Sequence, residues 1–123
     1  MGWDVVPGGL TKVLERISKD YDSPPLFITE NGAAYDDVAV DGQVQDDDRI
    51  AYVEAHLGAA LAAIEAGVDL RGYFIWSLMD NFEWAWGYTR RFGVVRVDYD
   101  TLERTPKASA LAYAAIAREN GWA

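Results

Sequence analysis

Two short stretches of the sequence gather side chains able to do chemistry. The first, Ile28-Thr29-Glu30-Asn31-Gly32, ends an apolar run in a carboxylate followed by a turn-forming pair. A carboxylate at the end of a buried strand is drawn out of water and can serve as nucleophile, general base or metal ligand. The plain alternative is a strand-ending turn. The second stretch runs from Trp76 to Tyr88 and holds three tryptophans, a phenylalanine, a tyrosine and the carboxylates Asp80 and Glu83. Flat indole faces stack on the C–H face of a pyranose, and carboxylates accept hydrogen bonds from its hydroxyls, so this mixture suits a sugar site. The same residues suit a small aromatic core packed under a loop. Both readings stand on composition alone.

Little else in the chain offers chemistry. The single histidine, His56, sits in a helical stretch between Ala55 and Leu57 and is expected at the surface or partly buried, not as a ligand. Asp36, Asp37 and Asp41-Gly42 lack the alternating acidic pattern and closing glutamate of a calcium loop, and read as a solvated loop. No metal site and no cofactor is expected. Arg90 and Arg91, beside the tryptophans, are expected to organise that loop. With no cysteine, disulfides and thiolate chemistry are excluded. Twenty acidic against 11 basic residues, a net charge of -9, argue against nucleic acid and anionic membrane surfaces. No apolar run approaches the roughly 18 to 20 residues that span a bilayer. The first residues lack the pattern of a signal peptide, which makes the cytoplasm the default compartment.

Three segments with helical period and two apolar runs would position these stretches. Leu10, Val13, Leu14 and Ile17 share one face, after Pro7 and before Pro24-Pro25. Ile50, Val53, Leu57, Ala60, Leu61 and Ile64 share another; Asp46-Asp47-Asp48 suit its N-terminus and Gly67 its stop. Ala108, Leu111, Ala112, Ala115 and Ile116 form a third, with Thr105-Pro106 as its expected start and Gly121 after its end. Leu26–Thr29 and Gly72–Trp76 are apolar without alternation, as in parallel strands covered on both faces. Gly93–Tyr99 alternates partly and, before Asp100-Thr101, reads as a hairpin arm. The polar stretch 36–48 is expected to be a long loop.

The order α-β-α-β-hairpin-α is α/β with parallel strands. Two strands fall short of the eight, in about 250 residues, of a (β/α)₈ barrel. The 123 residues therefore read as part of one: two strands with three helices.

Thr29-Glu30-Asn31-Gly32, Trp76–Trp84, Gly87-Tyr88, Arg91-Phe92-Gly93, Val97-Asp98 and Pro106-Lys107 together closely resemble glycoside hydrolase family 1, the β-glucosidase family. The resemblance runs from about Trp3 to the last residue, so that residues 1–123 are implied to be the C-terminal portion of that family's barrel, its last two strands with three helices. It implies that Glu30 is the catalytic nucleophile of a retaining reaction. It implies Trp76 as the platform under the sugar, Glu83 as the carboxylate gripping the outer hydroxyls, Trp84 as a second sugar contact and Phe92 as a pocket aromatic. Members acting on 6-phosphorylated sugars generally carry a small polar residue at the Glu83 position, so a carboxylate there favours a neutral β-glucoside or related oligosaccharide. A retaining glycosidase needs a second carboxyl group about 5 to 5.5 Å from the first. The family's Asn-Glu-Pro motif that supplies it does not occur in these residues. The resemblance thus leaves two functions open: the nucleophile side of a β-glucosidase, or an inactive remnant that at most binds sugar. The missing strands lead to the expectation of self-association or of pairing with the rest of the barrel.

Overall fold

The protein is described over residues 2–121 by a computed structural model. The helices are α1 (Pro7–Asp20), α2 (Asp47–Glu65) and α3 (Ala108–Glu119). The strands are β1 (Leu26–Asn31), β2 (Leu70–Ile75), β3 (Val95–Val97) and β4 (Arg104–Pro106), with a 3-10 turn at Trp84–Trp86. β1 and β2 pair in parallel, with Leu26 opposite Leu70, Ile28 opposite Tyr73 and Asn31 opposite Ile75. β3 and β4 form the antiparallel arm. The expected element order is the observed one.

The core lies between the parallel pair and two helices. Leu14 of α1, Ile28 of β1, Ala60 and Ala63 of α2, and Val68 are buried together, with Leu10, Leu26, Leu70 and Tyr73 packed against them. Small alanines let α2 approach the sheet, and Ala63 has no exposed surface. The turn from α2 to β2 follows from Gly67, whose φ of +96° an L-side chain rarely adopts. There the Gly67 and Val68 amides donate to the Ile64 and Ala63 carbonyls at 2.9 and 3.0 Å, closing the helix end.

Successive strand side chains point to opposite faces. Phe27 and Phe74, 55% and 57% exposed, therefore stand on the side of the sheet away from the helices. Gly72 lies beside both rings, and a Cβ there would come within 2.6 Å of Phe27 Cδ1.

Several local expectations are corrected. Thr105 and Pro106 belong to β4, so α3 starts after Lys107 and not at Thr105. Ladder pairing of Arg96 with Thr105 outcompetes the capping role. Asp46 precedes α2, yet its side chain does not cap that helix. Its Oδ1 instead accepts the Ser109 amide at 2.8 Å, in the first turn of α3. His56 is buried, stacked on Tyr52 with ring centroids 4.0 Å apart, and its Nδ1 lies 2.8 Å from the Tyr52 carbonyl oxygen. Leu61 and Ile64, expected on the buried face of α2, line an exposed groove with Tyr113 and Ile116 of α3. Val13 and Leu111 are exposed as well.

Candidate active site

The parallel pairing brings the two chemistry-bearing stretches together. Glu30 is the second-last residue of β1, with its side chain exposed, and Trp76 directly follows β2. The Trp76 amide donates to the Asn31 carbonyl at 2.8 Å. Gly32 packs so closely on this junction that a Cβ would lie 1.8 Å from the Trp76 carbonyl oxygen. Tyr73 on β2 donates its hydroxyl to Asn31 Oδ1 at 2.7 Å. Burial raises the Tyr73 pKa well above the ordinary tyrosine value, so the phenol stays a proton donor to Asn31.

Beyond Trp76 the chain folds against residues 92–95. The Ser77 amide donates to Phe92 O at 3.1 Å, Val94 to Ser77 O at 2.9 Å and Val95 to Leu78 O at 2.9 Å. These bonds close residues 81–91 into a loop. At its tip, Glu83 N donates to Gly87 O at 2.7 Å, and Trp86 N to Glu83 O at 2.8 Å. Glu83 is half-buried at the start of the 3-10 turn. Trp84 follows with φ +43° and is 82% exposed. Trp76 and Trp86 are also exposed, at 38% and 45%.

The aromatic side chains of this loop divide into a packed set and an exposed set. Phe82, Tyr88 and Tyr99 pack together as a small aromatic cluster, with centroid separations of 5.5 and 4.4 Å. The three indoles are left presenting surface to solvent. Arg90 lies over the Trp86 ring at 4.7 Å and Arg91 over Tyr99 at 4.8 Å, so both arginines do organise the loop. Phe92 is buried and lines a cavity of about 270 Å³ with Trp3, Gly32, Tyr35 and Tyr52. Trp76, Glu83 and Trp84 lie outside that lining.

Beneath both loops runs a buried ionic network that the sequence reading missed. The Lys107 ammonium, fully buried, donates to Asp37 Oδ2 at 2.5 Å, Asp80 Oδ1 at 2.9 Å and Gly93 O at 2.5 Å. Its three N–H groups thus meet three acceptors. Arg49 pairs with Asp46, forks onto both Asp37 oxygens at 3.0 and 2.8 Å, and donates to Arg91 O at 2.8 Å. Burial works against the Arg49 charge, but hydrogen bonds to Asp37 and Asp46 outweigh it and raise the guanidinium pKa. Arg91 donates to Asp80 Oδ2 at 2.5 Å, and Asp80 also accepts the Gly93 and Val97 amides at 3.0 and 3.3 Å. Three carboxylates thus face three cations. The stretch expected to be a solvated loop is therefore anchored through Asp37 and Asp46, because unpaired buried charges would be costly. Among the described residues, no cluster of three or more metal-ligating side chains occurs, and no helix is long and apolar enough to cross a membrane.

The model of glycosyl hydrolase family 1 matches residues 1–122. The chain belongs to this family. It is 52% identical over 122 residues to β-glucosidase A of Thermotoga maritima, covering 98% of this chain and 27% of that protein. It is 55% identical over 115 residues to the thermostable β-glucosidase B of Thermobispora bispora, covering 94% of this chain and 24% of that protein. A Thermotoga maritima β-glucosidase solved in complex with deoxynojirimycin superposes on all of this chain with a TM-score of 0.97 at 51% identity. The chain covers 28% of that structure. It thus spans about a quarter of the length of these glycosyl hydrolase family 1 relatives. The expected partial barrel of two parallel strands and three helices is what the fold and this superposition show.

The missed pairings left no local signal. Asp37 and Lys107 are 70 positions apart, Asp46 and Ser109 63, and Asp80 and Lys107 27, so no helix or strand period links them.

Proposed function

We propose that this chain carries the nucleophile side of a retaining β-glucosidase site and forms the C-terminal portion, residues 1–123, of such a barrel. The observation that carries the reading is the junction of the two strand ends, with the Trp76 amide bonded to Asn31 and Gly32 packed on the Trp76 carbonyl. It sets the strand end bearing Glu30 beside the indole-rich loop. Glu30 attacks the anomeric carbon as the glycosidic C–O bond breaks and the leaving oxygen takes a proton from the acid/base carboxyl group, so a covalent glycosyl-enzyme forms with inversion; water, giving its proton back to that group, then displaces the Glu30 carboxylate with a second inversion, giving net retention. Trp76 stacks under the sugar, Glu83 and Trp84 grip its hydroxyl edge, and Phe92 supports the pocket wall. The substrate class is a neutral β-glucoside or related oligosaccharide, since a carboxylate at Glu83 repels a phosphorylated sugar.

The acid/base carboxyl group comes from outside these 123 residues, because they contain no Asn-Glu-Pro. That same observation favours a second reading, in which the chain alone binds sugar without cleaving it. Hydrolysis of an aryl β-glucoside separates the two. In an assembly that supplies the remaining barrel, turnover is expected and Glu30→Gln abolishes it. Retained turnover in Glu30→Gln overturns the nucleophile assignment. Turnover by the chain alone overturns the need for an outside acid/base.

A further inference from the structure

We propose that Lys107 is a positioning residue that fastens the sugar-recognition loop to the segment following Glu30. The proposal deepens the site reading above and rests on it. Lys107 is neither in the loop nor near it in sequence; it stands at the N-terminus of α3. Its ammonium nonetheless holds one carboxylate on each side of the site: Asp37, seven residues beyond Glu30, and Asp80, three residues before Glu83. Its third bond, to Gly93 O, holds the far end of the same loop. Asp80 in turn collects the Gly93 and Val97 amides and Arg91. The ammonium therefore joins three chain segments through donors and acceptors that are all shielded from water.

The arrangement has no slack. A Cβ at Gly93 would lie 2.2 Å from the Asp80 amide nitrogen and 2.4 Å from the Met79 carbonyl carbon. The loop base thus lies directly on residues 92–95, and Lys107 bonds to both layers at once. Without its ammonium, Asp37 retains Arg49 and Asp80 retains Arg91, and the two carboxylates stay linked only indirectly, through the Arg49 bond to the Arg91 carbonyl. The tip carrying Glu83 and Trp84 then loses its direct tie through Lys107 to the segment that follows Glu30, and its placement loosens. Displacing a binding group by about 1 Å is enough to cost on the order of 10²-fold in rate.

The test uses the 123-residue chain. In native-state hydrogen exchange of the unsubstituted chain, the Gly93 and Val97 amides are expected to exchange as slowly as the Ile28 amide of the core. Earlier exchange of both would overturn the clamp, and this arm needs no variant. Lys107→Met leaves a net buried negative charge, so the charge-balanced double variant Lys107→Met/Asp80→Asn is read beside it. In the double variant, far-UV dichroism and the α1 amide signals are expected unchanged while the indole N–H signals of Trp76, Trp84 and Trp86 move. Unmoved indole signals in a folded double variant overturn the proposal. Titration with deoxynojirimycin then separates the clamp from the site reading. About tenfold weaker binding in the double variant supports both. No binding to the unsubstituted chain even in the assembly that supplies the remaining barrel, with the indole shifts still present, removes the sugar site and leaves the clamp standing.

Discussion

Glu83 and Gly32 act through different physics. The Glu83 backbone closes the loop tip, with its amide on Gly87 O and its carbonyl receiving Trp86 N–H, whereas no bond within the loop depends on its carboxylate. Truncation to alanine is therefore expected to leave the fold intact. In the proposed sugar-gripping role it is expected to remove charged hydrogen bonds to sugar hydroxyls, worth roughly 1.5 to 3 kcal/mol each, and to lower kcat/KM for a glucoside in the complete assembly accordingly. An unchanged kcat/KM would show that another group grips the sugar. Gly32 is the reverse case. Its missing side chain is what lets the two strand ends touch, since a Cβ would lie 1.8 Å from the Trp76 carbonyl oxygen. That neighbour is backbone and cannot rotate away. Gly32→Ala is expected to lose about 1 to 3 kcal/mol in urea unfolding, the usual cost of overpacking, and to shift the Trp76 indole signal. A variant as stable as the parent, with Trp76 unmoved, would refute the close junction.

α3 and the β3–β4 arm are each held at one end by a carboxylate. Asp46, preceding α2, serves α3 by accepting both the amide and, at 2.6 Å, the hydroxyl of Ser109. Asp98 serves the turn of the arm, where it accepts the Thr101 and Asp100 amides at 3.0 Å each. Those backbone bonds, Thr101 first, hold the Asp98 carboxyl below the usual aspartate pKa. A depressed folded-state pKa contributes stability that is present above the unfolded-state value and lost as pH falls through the folded-state one. The arm is therefore expected to loosen as pH drops below about 4, the ordinary aspartate value. Amide signals of residues 98–103, followed through an acid titration, should show the change, and Asp98→Asn should remove its pH dependence. A titration identical in that variant would mean that another carboxylate drives the transition.

For the molecule as a whole, the sheet is the weak point. Helices cover one face of the β1–β2 pair, while Phe27, Phe74 and Trp76 stand exposed on or next to the other. Among the described residues each of the two strands pairs only with the other. Open edges beside bare aromatic surface favour association. We propose that a second copy, or the segment bearing the remaining strands, covers this face. Sedimentation at low micromolar concentration is expected to find species heavier than the 13.6 kDa chain, and Phe27→Ser/Phe74→Ser to reduce them. A single 13.6 kDa species with sharp cooperative unfolding would overturn the expectation.

Element types and order are legible in the sequence, because they rest on local period. Leu10, Leu14 and Ile17 recur at helical spacing, Leu26–Thr29 and Gly72–Trp76 run apolar without a break, and Gly67 stops α2 through its own backbone freedom. Family membership was readable for a related reason: long ordered motifs such as Trp76–Trp84 survive as contiguous strings. What folding added concerns residues distant along the chain. Asp37 read as solvated and proved buried, Asp46 read as a cap for its own helix and serves another, and Lys107 read as one residue of a motif and bridges two loops. A charged side chain announces nothing about its burial, which depends on partners of opposite charge converging from elsewhere. Lys107 meets Asp37 and Asp80 across 70 and 27 positions, and only packing of the chain into three dimensions sets such distances.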